Sequence, residues 1–192
     1  MRSLFVIVAV IAIVAASAAY FVSLPKKDFH EHANFAVYLN GERYNFSQEK
    51  YMTTEENEVG LRALVHMHDM DSGIVHIHKE GVTLGTFFES IGIKLDSTCF
   101  VFDDGTAYCN SPDKKLKIYV NGVQSYSYDK LGLHDLDKIL VTFGNDSPQA
   151  IERQIDSVPI NACIYSEKCE APAGFVNNES LSCKSGETSC SA

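Results

Sequence analysis

The sequence is poor in positive charge. It has 16 lysine and arginine residues against 25 aspartate and glutamate residues, which gives a formal net charge of −9 and a pI near 5.2. The basic residues are scattered, without an arginine-rich arm or an aromatic RNA-binding signature. Proteins that bind phosphate backbones carry basic patches or stripes. This composition therefore argues against nucleic acid as a partner.

The short motifs of common enzyme classes are also missing. The sequence has no G-x-S-x-G, P-loop, H-E-x-x-H or dinucleotide fingerprint. It has no C-x-x-C, so neither a thioredoxin-like dithiol nor a zinc knuckle is indicated. Paired acids such as Asp103-Asp104 lie in turn-like sequence, where acidic residues are ordinary turn formers. We therefore predict no catalytic residues and favour a binding protein over an enzyme.

A long apolar segment opens the chain. Residues 4–24 carry no charge, and about 20 apolar residues suffice to cross a bilayer. We predict a transmembrane anchor and linker over residues 1–28. The "ASA" at 16–18 fits a cleavable signal peptide, which would make the protein secreted. The apolar run continues through Leu24, and this favours an uncleaved signal anchor.

The cysteines indicate the compartment. Their even number and short spacings fit local disulfides, although sequence does not give the connectivity. Disulfides persist in oxidising compartments, so we predict a single-pass cell-membrane protein whose C-terminal part is extracytoplasmic. Other envelope or membrane proteins are its expected partners. The predicted disulfide cysteines are Cys99, Cys109, Cys163, Cys169, Cys183 and Cys190.

Residues 29–160 predict an α+β domain built mainly from antiparallel hairpins. Asn40-Gly41 and Asn121-Gly122 each follow an alternating apolar run, which is the strongest short hairpin signal. A third hairpin is predicted around Asp104-Gly105. Short helices are predicted over 82–95 and 147–158. Thr83 and Ser147 are the N-caps, and Pro148 is the first helical residue of the second helix.

From residue 161 the composition changes to Cys, Ser, Asn, Glu and Gly with little periodicity. Residues 161–192 are therefore predicted to be a Cys/Ser-rich C-terminal tail, either stapled by disulfides or flexible.

Six of the seven histidines form three His-x-His pairs, which are His30/His32, His66/His68 and His76/His78. Residues two apart on a strand project from the same face. We predict a hairpin over 63–79, and either His66 or His68 opposite His76 puts all four of its imidazoles on one face. The other face is then apolar and suits the core. If the strand of His30 and His32 joins the same sheet, six imidazoles gather on one polar surface.

Imidazole nitrogen binds Zn²⁺, Cu²⁺ and related ions, and histidines without thiolates best suit copper or zinc. Asp69 is a further candidate, either as a ligand or as a partner that orients an imidazole. The alternatives are a pH-sensing surface, since clustered imidazoles repel once charged, and an inert polar face. The predicted metal ligands are His66, His68, His76, His78, His30, His32 and Asp69.

Three segments carry a resemblance: "HEHANFAVYLNG", "HMHDMDSGIVHIH" and "TLGTFFESIGI". Together they resemble a group of membrane-anchored extracytoplasmic proteins of archaea and bacteria. In that group an H-x-H precedes a strand ending in asparagine-glycine, and an H-x-H-D-x-x-G-[IV]-[IV]-H block and a TLG-x-FF helix follow. The resemblance covers about residues 30–145. It implies membrane anchoring and carries no activity with it.

The pattern as a whole predicts a membrane-anchored, histidine-rich protein for transition-metal binding, storage or delivery. Two other functions stay open. One is a metal-dependent enzyme or an accessory subunit of a membrane oxidase, because a metal site can keep an open position. The other is a structural or adhesive envelope protein whose histidines are incidental.

Overall fold

The computed structural model describes residues 29–175. Its strands are β1 (Glu31–Leu39), β2 (Glu42–Arg43), β3 (Val65–His66), β4 (Ile74–Ile77), β5 (Lys94–Leu95), β6 (Cys99–Val101), β7 (Ala107–Cys109), β8 (Lys115–Val120), β9 (Val123–Ser125) and β10 (Lys138–Gly144). Its α-helices are α1 (Leu84–Ser90), α2 (Pro148–Asp156) and α3 (Ala162–Tyr165). Single 3₁₀ turns cover Glu49–Tyr51, Gly60–Ala63 and Tyr128–Lys130.

Turn chemistry sets the local hairpins. Asn40 and Gly41 have φ of 54° and 86°, and Asn121 and Gly122 have φ of 52° and 83°. Positive φ at both central positions is what a type I′ two-residue hairpin turn needs. These turns join β1 to β2 and β8 to β9, and Gly105 closes the hairpin of β6 and β7. The three predicted hairpins are confirmed.

The larger sheet has the strand order β3-β4-β1-β10-β8-β9, with β2 beside the end of β1. All of its pairs are antiparallel except β1 with β10, which is parallel. Strands β5, β6 and β7 form a second, smaller sheet. The predicted α+β class is confirmed, and the parallel pair in the middle of the larger sheet is an addition that local patterns did not indicate.

The two predicted helices form, and the first is shorter than predicted. Thr83 caps α1 by accepting a hydrogen bond from the Thr86 amide at 3.2 Å. Gly92, at φ 81°, ends the helical path, so residues 94–95 enter β5 instead. Ser147 caps α2, and Pro148 is its first residue, as predicted.

Both faces of the larger sheet are covered. One face packs the main core, in which Phe35 of β1 contacts Phe87 and Phe88 of α1. The other face packs Ala36 and Leu140 against Ile151 of α2. The even-numbered residues of β1 lie on this second face. His32 therefore lies in the same layer as α2 and α3.

Two of the predicted disulfides are present, Cys99–Cys109 and Cys163–Cys169. The first ties the ends of the β6–β7 hairpin, where Cys99 and Cys109 are paired in register. Cys183 and Cys190 lie outside the described residues, and so does the predicted anchor over 1–28. Between residues 29 and 175, no helix is long and apolar enough to cross a bilayer.

Candidate metal centre

The six paired histidines lie in three adjacent strands or within two residues of their ends. Strand β4 lies between β1 and β3, with His76 opposite His32 on one side and His66 on the other. This selects the tighter of the two hairpin registers that the sequence allows. In either register the parity is even, so the imidazoles share one face of the sheet.

The six imidazoles form one continuous group. Ring centroids are 4.6 Å apart for His30 and His32, and 4.8 Å apart for His32 and His76. The other neighbouring rings have these centroid separations: His30–His78 4.5 Å, His66–His78 4.8 Å, His68–His76 4.0 Å and His66–His68 5.6 Å. The adjacency of β1 and β4 thus brings all three His-x-His pairs together.

The group is buried, and this corrects the expectation of an open polar surface. His32, His66 and His76 are each 1% exposed or less, and His68 is 6% exposed. Only His30 and His78, at the strand ends, are half-buried. A cluster of imidazoles inside a protein needs polar partners or ligands, because burying unpaired polar groups is costly.

A segment after α2 covers part of this layer. Asn34, buried on β1, donates to the carbonyl of Gly73 at 3.1 Å and to Oδ1 of Asn161 at 2.7 Å. Its Oδ1 accepts from the Ala162 amide at 2.9 Å. Asn34 therefore connects β1, the turn before β4 and the start of α3. Residues 161–166 of the predicted C-terminal tail thus pack on the sheet.

Tyr165 and Ser166 lie directly over the histidines. The Tyr165 ring is 5.7 Å from His32 and 5.6 Å from His76. Nδ1 of His32 lies 2.9 Å from Ser166 Oγ, which donates to Asp135 at 2.5 Å. Asp135 is paired with Lys168.

Burial acts to raise the pKa of the Asp135 carboxyl. Hydrogen bonds from Lys168, Ser166 and the His32 amide outweigh it and hold the pKa below its usual value. The carboxyl is therefore ionised at neutral pH, and its charge reaches His32 through the Ser166 hydroxyl. A chain of polar groups thus links the covering segment, residues 161–166, to a histidine of the cluster.

Two other histidines also have Nδ1 fixed by an oxygen atom. Nδ1 of His66 donates to the Arg62 carbonyl at 2.6 Å, and Nδ1 of His68 donates to Asp69 Oδ2 at 2.9 Å. An imidazole whose Nδ1 carries the proton keeps a lone pair on Nε2. Histidines that ligate metals are oriented in this way by an acceptor behind the ring. The sequence left two roles open for Asp69, a metal ligand or a partner that orients an imidazole. Its hydrogen bond to His68 Nδ1 places it in the orienting position.

Within residues 29–175, the three residues whose ligand atoms converge are His30, His32 and His76. One nitrogen from each lies within 4.8 Å of the other two. We call these residues the inner trio, and we call His66, His68 and His78 the cleft trio. The inner trio can hold a metal ion, because three imidazole nitrogens from two strands converge on one point.

His66 is the most enclosed imidazole. Burial lowers its pKa to about 4, although its hydrogen bond to the Arg62 carbonyl acts in the opposite direction. The carboxyl of Glu58 lies 3.9 Å behind it, and burial raises the pKa of that carboxyl. His66 is therefore neutral at pH 7, which is the form that binds metals.

An open cleft adjoins His68. Its volume is about 450 Å³, and its lining includes His68, Asp69, Glu49 and Glu55. The cluster thus meets solvent at one side.

His134, the histidine outside the three pairs, is 78% exposed, beside Asp137.

Sequence reasoning did not find Arg62, Ser166, Glu58 or Tyr165. Ser166 and Tyr165 are far from the histidines in sequence, and no local pattern indicates that they fold over β1. The Arg62 carbonyl is a backbone group and leaves no residue-type signal.

The comparisons with known proteins add no relative. No family model matches the chain, and no significant match occurs among the curated proteins or the solved structures. The candidate function therefore depends on the site itself.

Proposed function

We propose that this chain is a membrane-anchored, extracytoplasmic protein that binds copper or zinc for storage or delivery. The observation that carries the proposal is the convergence of His30, His32 and His76, whose ligand atoms lie within 4.8 Å of one another. The disulfides Cys99–Cys109 and Cys163–Cys169 support an oxidising compartment. The uncharged segment 4–24 supports the anchor.

The donor set favours copper or zinc. Imidazole suits both ions, whereas magnesium and calcium prefer oxygen ligands. Of the two, Cu²⁺ binds nitrogen sites more tightly at equal availability. The fixed Nδ1 of His32 favours metal binding over charge sensing, because the ring presents its other nitrogen as a lone pair.

Metal analysis of the full chain, purified in mild detergent without added metal, tests this proposal. We expect about one equivalent of copper or zinc or more, because a buried imidazole trio is preformed for an ion. Replacing His32 and His76 together by alanine should remove the ion from the inner trio. His134→Ala is the matched control, since it deletes an exposed imidazole outside the cluster. Less than roughly 0.2 equivalents of any transition metal, both as isolated and after incubation with Cu²⁺ or Zn²⁺, would overturn the proposal.

A metal-dependent enzyme is the second candidate, and the cleft beside His68 is the observation that favours it. A catalytic site needs an open coordination position next to space for a substrate. Dioxygen consumption or ester hydrolysis by the metal-loaded chain, lost in a His68→Ala variant that keeps the inner-trio ion, would support this function over storage.

A further inference from the structure

Three histidines remain once the inner trio is set apart. In the cleft trio, His66 neighbours both other rings, with ring centroids 5.6 Å apart for His66 and His68 and 4.8 Å apart for His66 and His78. The cleft trio draws on two strands, as the inner trio does. His66 is the last residue of β3, His68 lies two residues beyond it, and His78 follows β4.

His66 supplies the observation that points to a ligand. Its side chain is fully buried, and its Nδ1–H is used by the Arg62 carbonyl. Nε2 is therefore an acceptor, and among residues 29–175 it has no hydrogen-bond partner. A buried acceptor without a partner is destabilising unless another group, such as a cation, fills the position.

His68 lies between His66 and solvent. Its Nδ1 donates to the Asp69 carboxylate, so its Nε2 also keeps a lone pair. The cleft that it lines carries the acidic residues Glu49, Glu55 and Asp69. An acidic cleft concentrates cations near its surface. A hydrated cation thus has a route to His68. His66 neighbours His68 and is more deeply buried.

Glu58 adds a compensating group. Its buried carboxyl lies 3.9 Å from His66 Nδ1. Carboxyl oxygen atoms carry negative partial charge, so at this distance they attract a cation bound to the ring instead of repelling it. The environment of His66 can therefore accept a positive charge.

We propose that His66, His68 and His78 form a second transition-metal site, filled through the acidic cleft, so that the cluster holds two ions. This inference rests on the proposed function, because both sites use one histidine cluster. Rings of the two trios are in contact, with His68–His76 at 4.0 Å and His30–His78 at 4.5 Å. The pair His76/His78 is shared, one imidazole going to each site. Two Cu²⁺ ions held this way are close enough to interact magnetically.

The test is a Cu²⁺ titration of the full chain, followed by native mass spectrometry and electron paramagnetic resonance. We expect two bound ions, with the signal of the first ion weakened or broadened as the second site fills. His68→Ala and His78→Ala should each leave one ion with an uncoupled signal. His68 lines the cleft and His78 is half-buried, so both variants leave the fully buried His66 in place. His134→Ala should retain two ions.

The outcomes separate the two proposals. One ion in the wild type, with no change in His68→Ala or His78→Ala, overturns the second site and leaves the proposed function intact. No ion in the wild type overturns both. Two ions that are lost together in His68→Ala, while circular dichroism shows a native fold, would also overturn separate sites, because the histidines would then bind as one unit.

Discussion

The inner trio and the cleft trio are built from the same residue type on the same sheet, yet their surroundings differ. Tyr165 and Ser166 lie over His32 and His76, and a hydroxyl and a carboxylate fix the ring of His32. On the other side, His68 lines an open cleft, and the carboxylate that orients it is 56% exposed. One trio is closed by a distant part of the chain, and the other opens to solvent.

This difference in surroundings affects how fast each trio would release a bound metal ion. A metal ion dissociates slowly when its ligands are fixed by neighbouring groups and covered by a folded segment. It exchanges readily where solvent and competing ligands reach it. In a storage or delivery protein, the inner trio suits the retained ion and the cleft trio suits the ion that is passed on. Substitutions near the inner trio and near the cleft trio should therefore have unequal effects.

Asn34→Ala should have the largest effect. It removes the hydrogen bonds that join β1 to Gly73, Asn161 and Ala162. Because these groups are buried or nearly so, we expect the free energy of unfolding to fall by about 3 kcal/mol. Chemical denaturation of the metal-free full chain measures this, and Asn145→Ala, at an exposed position, is the control. An unchanged unfolding midpoint would contradict a linking role for Asn34.

Asn34 also marks the limit of prediction from sequence. Its neighbours were predictable: alternation placed Phe35 in the core, and Asn40-Gly41 fixed the end of β1. Likewise, even numbering put the four histidines of the 63–79 hairpin on one face. These features depend on contacts a few residues apart. The sequence pattern is sufficient for such contacts because strand periodicity and turn geometry are local.

The rest depends on contacts between distant segments. Strand β1 pairs with β4 on one side and with β10, in parallel, on the other. Residues 161–166 then close over the histidines. The segment 161–192 as a whole is poor in apolar side chains, so composition predicted a separate tail. Residues 161–166 attach to the sheet through hydrogen bonds to Asn34 and His32, and such bonds leave no periodic signal.

Loss of one or the other disulfide should cost similar stability and affect metal retention differently. Opening either Cys99–Cys109 or Cys163–Cys169 by serine replacement should lower the free energy of unfolding by roughly 2–3 kcal/mol, since both close short loops. The effects on metal retention should differ, because Cys163–Cys169 alone brackets Tyr165 and Ser166. We expect the inner-trio ion to dissociate about tenfold faster in that variant, which corresponds to about 1.4 kcal/mol. Transfer to a coloured chelator measures the rate. Equal rates in both variants would show that the cover does not retain the ion.

The smallest effect is expected from substituting the residues that orient His32 and His68, which are Ser166 and Asp69. Ser166→Ala removes the oxygen that lies 2.9 Å from His32 Nδ1 and cuts the link to Asp135. Loss of such an orienting group costs roughly tenfold or more in metal affinity. Asp69→Asn is the counterpart at His68, and its effect should be weaker, because solvent already screens that carboxylate. Competition titrations that resolve the first and second Cu²⁺ ions measure both affinities. A larger loss in Asp69→Asn would reverse the comparison and make the cleft side the more tightly organised of the two.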